Sequence, residues 1–199
     1  METGPIILEG RSVRLEPLSI SHHAELCEIG LDFELWHWTT TNVRTPAEMR
    51  AYIEKALAER TRGTSLPFAT IDQTSGKVIG STRYLNIDGS NLRVEIGATW
   101  IGKNWQRTAV NTEAKYLMLR HAFETLGCIR VEFKTDSLNQ RSREAILRLG
   151  AKEEGILRNH MLTWTGRIRH TVYFSIIDSE WPQVKTRLEG MMARGVRTQ

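Results

Sequence analysis

No apolar run in this chain is long enough to cross a bilayer as a helix. The first residues, Met1-Glu2-Thr3-Gly4-Pro5, lack the basic stretch and apolar stretch of a secretory signal, so a cytoplasmic location is expected. Cysteine is scarce: Cys27 and Cys128 are the only two in 199 residues. Neither belongs to a Cys-x-x-Cys or Cys/His spacing, so no metal site is expected and both thiols should be reduced. The neighbours of Cys128, Gly127 and Ile129, offer no base to activate it. Gly-x-x-x-x-Gly-Lys-Ser/Thr and Gly-x-Gly-x-x-Gly are both missing, which argues against a nucleotide-binding regulatory domain. Charge of one sign is in small excess, with a formal net charge of +4 spread along the chain. Nucleic-acid binding wants a denser basic patch or a known module. A mild positive field suits a small anionic ligand.

What is present is the composition of an ordinary globular chain, and its length suits one domain over 1–199, with a core from about 11 to 188. Alternation marks strands at 12–18, 66–71, 77–86, 93–101, 130–135, 155–164 and 167–177. Helical spacing marks 22–30, 46–60, the segment from 109 to about 126, 139–149 and 178–189, with 190–199 as a ragged tail. Thr45-Pro46-x-Glu48 is a capped helix start, and Gly150 a helix stop. Thr165-Gly166 turns a late hairpin. The order β-α-α-β-β-β-α-β-α-β-β-α points to the α/β (α+β) class, with a mixed sheet of about seven strands and helices on both faces.

One stretch carries more chemistry than the rest. Thr99-Trp100-Ile101 ends a strand, Gly102 to Thr108 is a short polar loop, and an amphipathic helix follows. The first amides of a helix have no intrahelical partner and sit at the positive end of its dipole, a ready site for a pyrophosphate. Ala109 fits such a turn if its φ is negative, whereas Asn111 tolerates a left-handed φ and can also cap the helix. Further on, Asn139 and Ser142 stand three residues apart and share one helix face. Asn139 offers both a donor and an acceptor to an amide; both residues equally suit a plain helix cap.

Gln106-Arg107-Thr108-Ala109-Val110-Asn111 resembles the Gln/Arg-x-x-Gly-x-Gly/Ala loop of the GNAT acetyltransferases, particularly the RimJ/RimL-like branch. Ala109 and Asn111 depart from its glycine and small residue. Asn139-x-x-Ser142 followed by Gly150-Ala151 resembles a second signature of that branch, and Arg167 to Ser175 its late strand, with His170 in place of the usual Asp. The resemblance implies the GNAT fold, in which two parallel strands splay apart around the pantetheine arm. It implies acetyl-CoA as cofactor, held by Thr99, Trp100, Ile101, Gln106, Arg107, Thr108, Ala109, Val110, Asn111, Thr112 and Asn139.

The implied reaction acetylates a primary amine, either a protein N-terminus or a small amine. An amine must lose a proton before attack, and Glu95 is the first candidate to accept it; the alternative is an exposed carboxylate paired with an arginine. Ser142 is placed to protonate the departing thiolate, and a backbone N–H at 99–101 to steady the oxygen. Trp36 and Trp38 fall where the family shapes its acceptor side, although aromatics also serve as core. Other readings are a non-catalytic acyl-CoA-binding or sensing module and an acetyltransferase that detoxifies antibiotics or aminoacyl nucleotides. No nucleic-acid or membrane partner is expected, and a homodimer is compatible with the branch.

Overall fold

The computed structural model describes residues 4–195. Apolar side chains alternate along the strands and so divide into two clusters, one on each face of a single sheet. The strands are β1 (Leu8–Glu9), β2 (Val13–Pro17), β3 (Ser65–Asp72), β4 (Val78–Asp88), β5 (Arg93–Ile101), β6 (Arg130–Asp136), β7 (Lys152–Leu162) and β8 (Ile168–Ile177). They lie in the order β1-β2-β3-β4-β5-β6-β8-β7. The sheet therefore has eight strands rather than about seven. The extra one, β1, is a two-residue ribbon pairing Leu8 with Leu15, too short to show any period.

The helices are α1 (His23–Gly30), α2 (Pro46–Thr61), α3 (Ala109–Arg120), α4 (Gln140–Leu149) and α5 (Trp181–Gly195). Helices α1 and α2 cover one face, where Leu26, Met49 and Ile53 pack with Trp36, Val78 and Trp100. Helices α3, α4 and α5 cover the other, where Leu117, Ile146 and Leu188 pack on Val94, Phe133 and Phe174. Helices on both faces are as expected. Residues 190–195 belong to α5, so the tail expected from 190 is helical that far; 196–199 lie outside the described residues. No helix among the described residues is long and apolar enough to cross a membrane.

Several local signals act as their chemistry requires. Thr45 Oγ1 accepts the Glu48 N–H at 3.2 Å, and Glu48 Oε2 accepts the Thr45 N–H at 3.0 Å, so the capping box at the start of α2 is complete. Gly150 closes α4 in the left-handed region at φ 106°. Helix α3 is anchored from below: buried Glu113 accepts the N–H groups of Arg11 and Ser12 at 2.8 and 2.7 Å. That carboxylate ties the β1–β2 ribbon to the central helix. Glu113→Ala is expected to lower unfolding free energy by about 2 kcal/mol, because two backbone donors lose a charged acceptor. Chemical denaturation of parent and variant reads the difference.

Two features of β5 open the site. Its parallel pairing with β6 runs only from Arg93↔Arg130 to Glu95↔Glu132, although both strands continue for several more residues. Beyond Glu95 the two strands separate. In addition, β5 bulges: Gly97 pairs with Arg83 and Trp100 with Ser81, so three steps on β5 match two on β4. Ala98 carries the bulge at φ 47°. The extra residue reverses which face each later side chain meets. The alternation that places Thr99 on the same face as Glu95 therefore fails. Thr99 turns to the α3 face, while Trp100 joins the core under α1 and α2.

Candidate active site

The separated ends of β5 and β6 form a cleft. The loop entering α3 borders one arm, and the loop entering α4 borders the other. On the first arm, a single helical turn at 103–105 leads to Arg107, which adopts φ 65°. Left-handed backbone is uncommon for a residue with a Cβ and marks a turn held by its surroundings. The helix cap is Thr108, not Asn111: Thr108 Oγ1 accepts the Val110 N–H at 3.4 Å. Asn111 is already the third residue of the helix. Among the described residues, the N–H groups of Arg107, Thr108, Ala109 and Asn111 have no acceptor. The Oδ1 of Asn111 is buried and also lacks a partner. A pyrophosphate at the turn would satisfy the amides, and an amide N–H of a pantetheine arm would satisfy Asn111. The residues present therefore fit CoA. Ala109 is exposed and in helical conformation, so its methyl replaces glycine without backbone strain.

Ile101 gives the cleft its own backbone donor. The Gly102 N–H bonds Ile79 O on β4 at 2.8 Å. The N–H and C=O of the preceding residue then point away from β4, into the gap. Gln106 Nε2 donates to Ile101 O at 2.8 Å, and Arg141 Nη2 donates to Gln106 Oε1 at 2.8 Å. Gln106 thus bridges the two arms with its side chain, and its N–H is taken by Lys103 O at 3.2 Å, so it supports the turn rather than offering a donor to a ligand. Thr99 Oγ1 is committed to Thr82 and Lys115, and the rings of Trp100 and Trp36 are buried. Trp100 can therefore meet a ligand only through its backbone, whereas Thr99 is exposed with its hydroxyl already bonded. Val110 and Thr112 are buried inside α3, beneath the turn.

On the second arm, Asn139 caps α4: its Oδ1 accepts the Ser142 N–H at 3.1 Å. That half of the side chain is occupied; its Nδ2 makes no hydrogen bond among the described residues. The Ser142 hydroxyl likewise has no partner there. Asp136, fully buried at the end of β6, accepts the Leu138 N–H at 3.0 Å and pairs with Arg167.

Antiparallel pairing puts Lys134 opposite Tyr173 and Asp136 opposite Thr171, on the sheet face that also holds Glu95. Glu95 is 2% exposed, which corrects the alternative of a solvated carboxylate with an arginine partner. Its Oε2 accepts from Asn86 Nδ2 at 2.6 Å and pairs with Lys134 Nζ at 2.8 Å. Its Oε1 makes no hydrogen bond among the described residues. One oxygen anchors the carboxylate and the other is open. Gly97 makes room for it: a Cβ there would lie 2.8 Å from Oε1.

The loop between α1 and α2 forms the rim. Trp36 is 2% exposed, bonds Gly30 O through Nε1 at 2.7 Å and packs on Tyr52 and Trp100. It is a core residue, and its expected place in the acceptor pocket is not where the structure puts it. Its carbonyl accepts from Trp164 Nε1 at 3.0 Å and so fastens the rim to the β7–β8 hairpin. Trp38 is half-buried at that rim, with the Arg167 guanidinium 5.7 Å from its ring centroid.

Three of the histidines have structural hydrogen-bond partners. His22 bonds Glu16, His23 bonds Pro46 O, and His170 Nδ1 accepts the Asn159 N–H at 2.8 Å in a bulge of β7. Burial pushes the Cys128 thiol up to about 11, so it is not a thiolate at neutral pH. Sequence reasoning did not single out Lys115 or Lys134, which lie on a helix and a strand with no motif around them, and it quoted Arg169 within the late-strand signature without giving it a role.

A family model described as an acetyltransferase (GNAT) domain matches residues 12–152. A GCN5-related N-acetyltransferase from Brucella melitensis is 36% identical, with a TM-score of 0.89 over 96% of this chain and 86% of that one. Mycobacterium smegmatis RimJ, solved in complex with CoA-disulfide, shares the fold at 24% identity and a TM-score of 0.77, over 94% and 93% of the two chains. The Bacillus subtilis protein named "putative ribosomal N-acetyltransferase YdaF" is 32% identical over 106 residues, 53% of this chain and 57% of that relative. The match thus spans little more than half of that relative's length. With the cleft, the turn before α3 and the family match in agreement, the chain belongs to the GNAT acetyltransferase family.

Proposed function

We propose that this protein transfers an acetyl group from acetyl-CoA to a primary amine. The observation that carries the reading is the cleft between β5 and β6, with free turn amides on one arm and the Ser142 hydroxyl on the other. Acetyl-CoA supplies the activated acyl group when bound, with its pyrophosphate at residues 107–111 and an amide of its arm at Asn139 Nδ2. The open Oε1 of Glu95 takes a proton from the acceptor ammonium, directly or through one water. The Ile101 N–H, which points into the gap, would donate to the negative charge that develops on the carbonyl oxygen. Ser142 gives a proton at the departing sulfur. Trp38 sits at the entrance for the acceptor. A protein N-terminus and a small amine are both accommodated by a cleft open at its rim.

Release of free CoA thiol, with mass spectrometry of the amine, tests the reading. Acetylated amine should appear in step with thiol. Ser142→Ala should lower turnover about tenfold or more, while acetyl-CoA affinity stays within about threefold, as removal of a proton donor requires. Acetyl-CoA binding without turnover of any amine would make the protein an acyl-CoA-binding module instead.

A further inference from the structure

Among the described residues, the polar face beside the cleft holds one more cation than it pairs. Lys134 is matched by Glu95, and Arg167 by Asp136. Farther along the sheet, Arg93 and Arg130 share Glu132, and Arg130 also binds Glu154. Arg169 is left over. It lies one alternation beyond Thr171, on the same face as Glu95, Lys134 and Asp136. It is 8% exposed, yet its only side-chain hydrogen bond among the described residues is from Nε to Thr171 Oγ1 at 3.1 Å. Its two Nη groups have no partner among the described residues, and neither is sealed from solvent.

A buried guanidinium with one neutral partner is costly, because desolvation is not offset by a matched anion. Burial does hold its pKa below the usual arginine value, against the pull of Asp136 and Glu95. Both of those carboxylates are already committed to other cations. The rim adds to the positive character: Arg44 stacks on Trp164 at 4.8 Å and Arg167 lies over Trp38 at 5.7 Å. Nothing in the acetyl-transfer chemistry uses Arg169. A guanidinium presents paired N–H donors in a plane and is the side chain best shaped to hold a carboxylate through two bonds.

We propose that the acceptor amine carries a carboxylate, and that Arg169 holds that carboxylate while Glu95 faces the amine. This rests on the acetyl-transfer reading and narrows its acceptor to carboxylate-bearing amines. The group can come from a free amino acid or from an acidic residue near a peptide N-terminus; the chemistry recognised is the same.

The test compares acceptors that differ only in that charge. One pair is a free amino acid and its amide. The other is Ala-Glu-Ala amide and Ala-Gln-Ala amide. For the parent, kcat/KM should be about tenfold or more higher for the carboxylate member of at least one pair, as expected for a charge-assisted bidentate contact. Which pair shows it identifies the source. Arg169→Gln should collapse that ratio towards one, and Arg169→Lys should restore part of it. A merely structural Arg169 would lower both members of a pair equally, and that result overturns the proposal. So does a parent that treats carboxylate and amide alike. If no amine is acetylated, the transferase reading fails separately. Binding of the amino acid against its amide to the CoA-loaded protein, by calorimetry, then still decides Arg169: a preference lost in Arg169→Gln supports it, and equal binding overturns it.

Discussion

Lys115→Met is expected to make the protein more stable at pH 7 and to remove most of the rise in its stability between pH 7 and 10. Lys115 is buried in α3 and has no carboxylate partner among the described residues. Its Nζ donates to Thr82 Oγ1 at 3.1 Å and Thr99 Oγ1 at 2.5 Å. Burial pushes its pKa down to about 7 from the ordinary 10.5. Between those values the unfolded chain holds a proton that the folded chain does not. Stability therefore rises with pH across this window, by up to about 1.4 kcal/mol per pH unit from this group. Below about pH 7 the folded protein must carry the buried charge, and this contribution stops changing. Methionine has a similar reach and no charge to desolvate. Thr82 and Thr99 keep each other as partners at 2.7 Å. Denaturant unfolding at pH 7, 8, 9 and 10 reads the slope, and an unchanged slope in the variant would contradict the assignment.

The second large effect concerns Glu95. Glu95→Gln should lower kcat by about 10²-fold at neutral pH, with acetyl-CoA affinity little changed. A glutamine can turn its carbonyl oxygen to Asn86 and Lys134, the two donors that Oε2 now serves. Its amide nitrogen then occupies the open position and cannot accept a proton. The Lys134 charge loses its carboxylate, so some stability is lost as well. Turnover against pH separates this cost from catalysis. An acceptor with the usual α-amino pKa of about 8 is mostly deprotonated above that pH and needs a base less. The deficit should narrow as pH rises through 8. A deficit of the same size at every pH would mean that Glu95 only positions its neighbours.

The parts of the fold legible in the sequence are those written by local chemistry. Thr45-Pro46-x-Glu48, Gly150 and Thr165-Gly166 each announce a specific hydrogen bond or φ, and each is where it should be. The order of the longer elements follows from period, and only the two-residue β1 escapes it. What was not legible depends on tertiary context. The β5 bulge falls at Ala98, a residue type with no preference for φ 47°, so nothing marks the change of face at Thr99. The left-handed turn before α3 falls at Arg107 for the same reason. Thr108 and Asn111 are both good caps, and only the path of the loop chooses Thr108. A tryptophan reads the same whether it faces solvent, ligand or core, so the burial of Trp36 beside half-buried Trp38 was out of reach. Glu95 alternates as a solvated residue would; its burial comes from residues distant in sequence that close over that face.

In the proposed function the turn at residues 107–111 holds the pyrophosphate of acetyl-CoA. Titration calorimetry of acetyl-CoA into the parent and into Ala109→Arg tests it most directly. Ala109 is exposed at the first turn of α3, so arginine there fills the anion site without disturbing the core. The parent should bind in the micromolar range, and the variant, equally stable, should lose that binding. No binding by the folded parent, or equal affinity in the variant, would contradict the account.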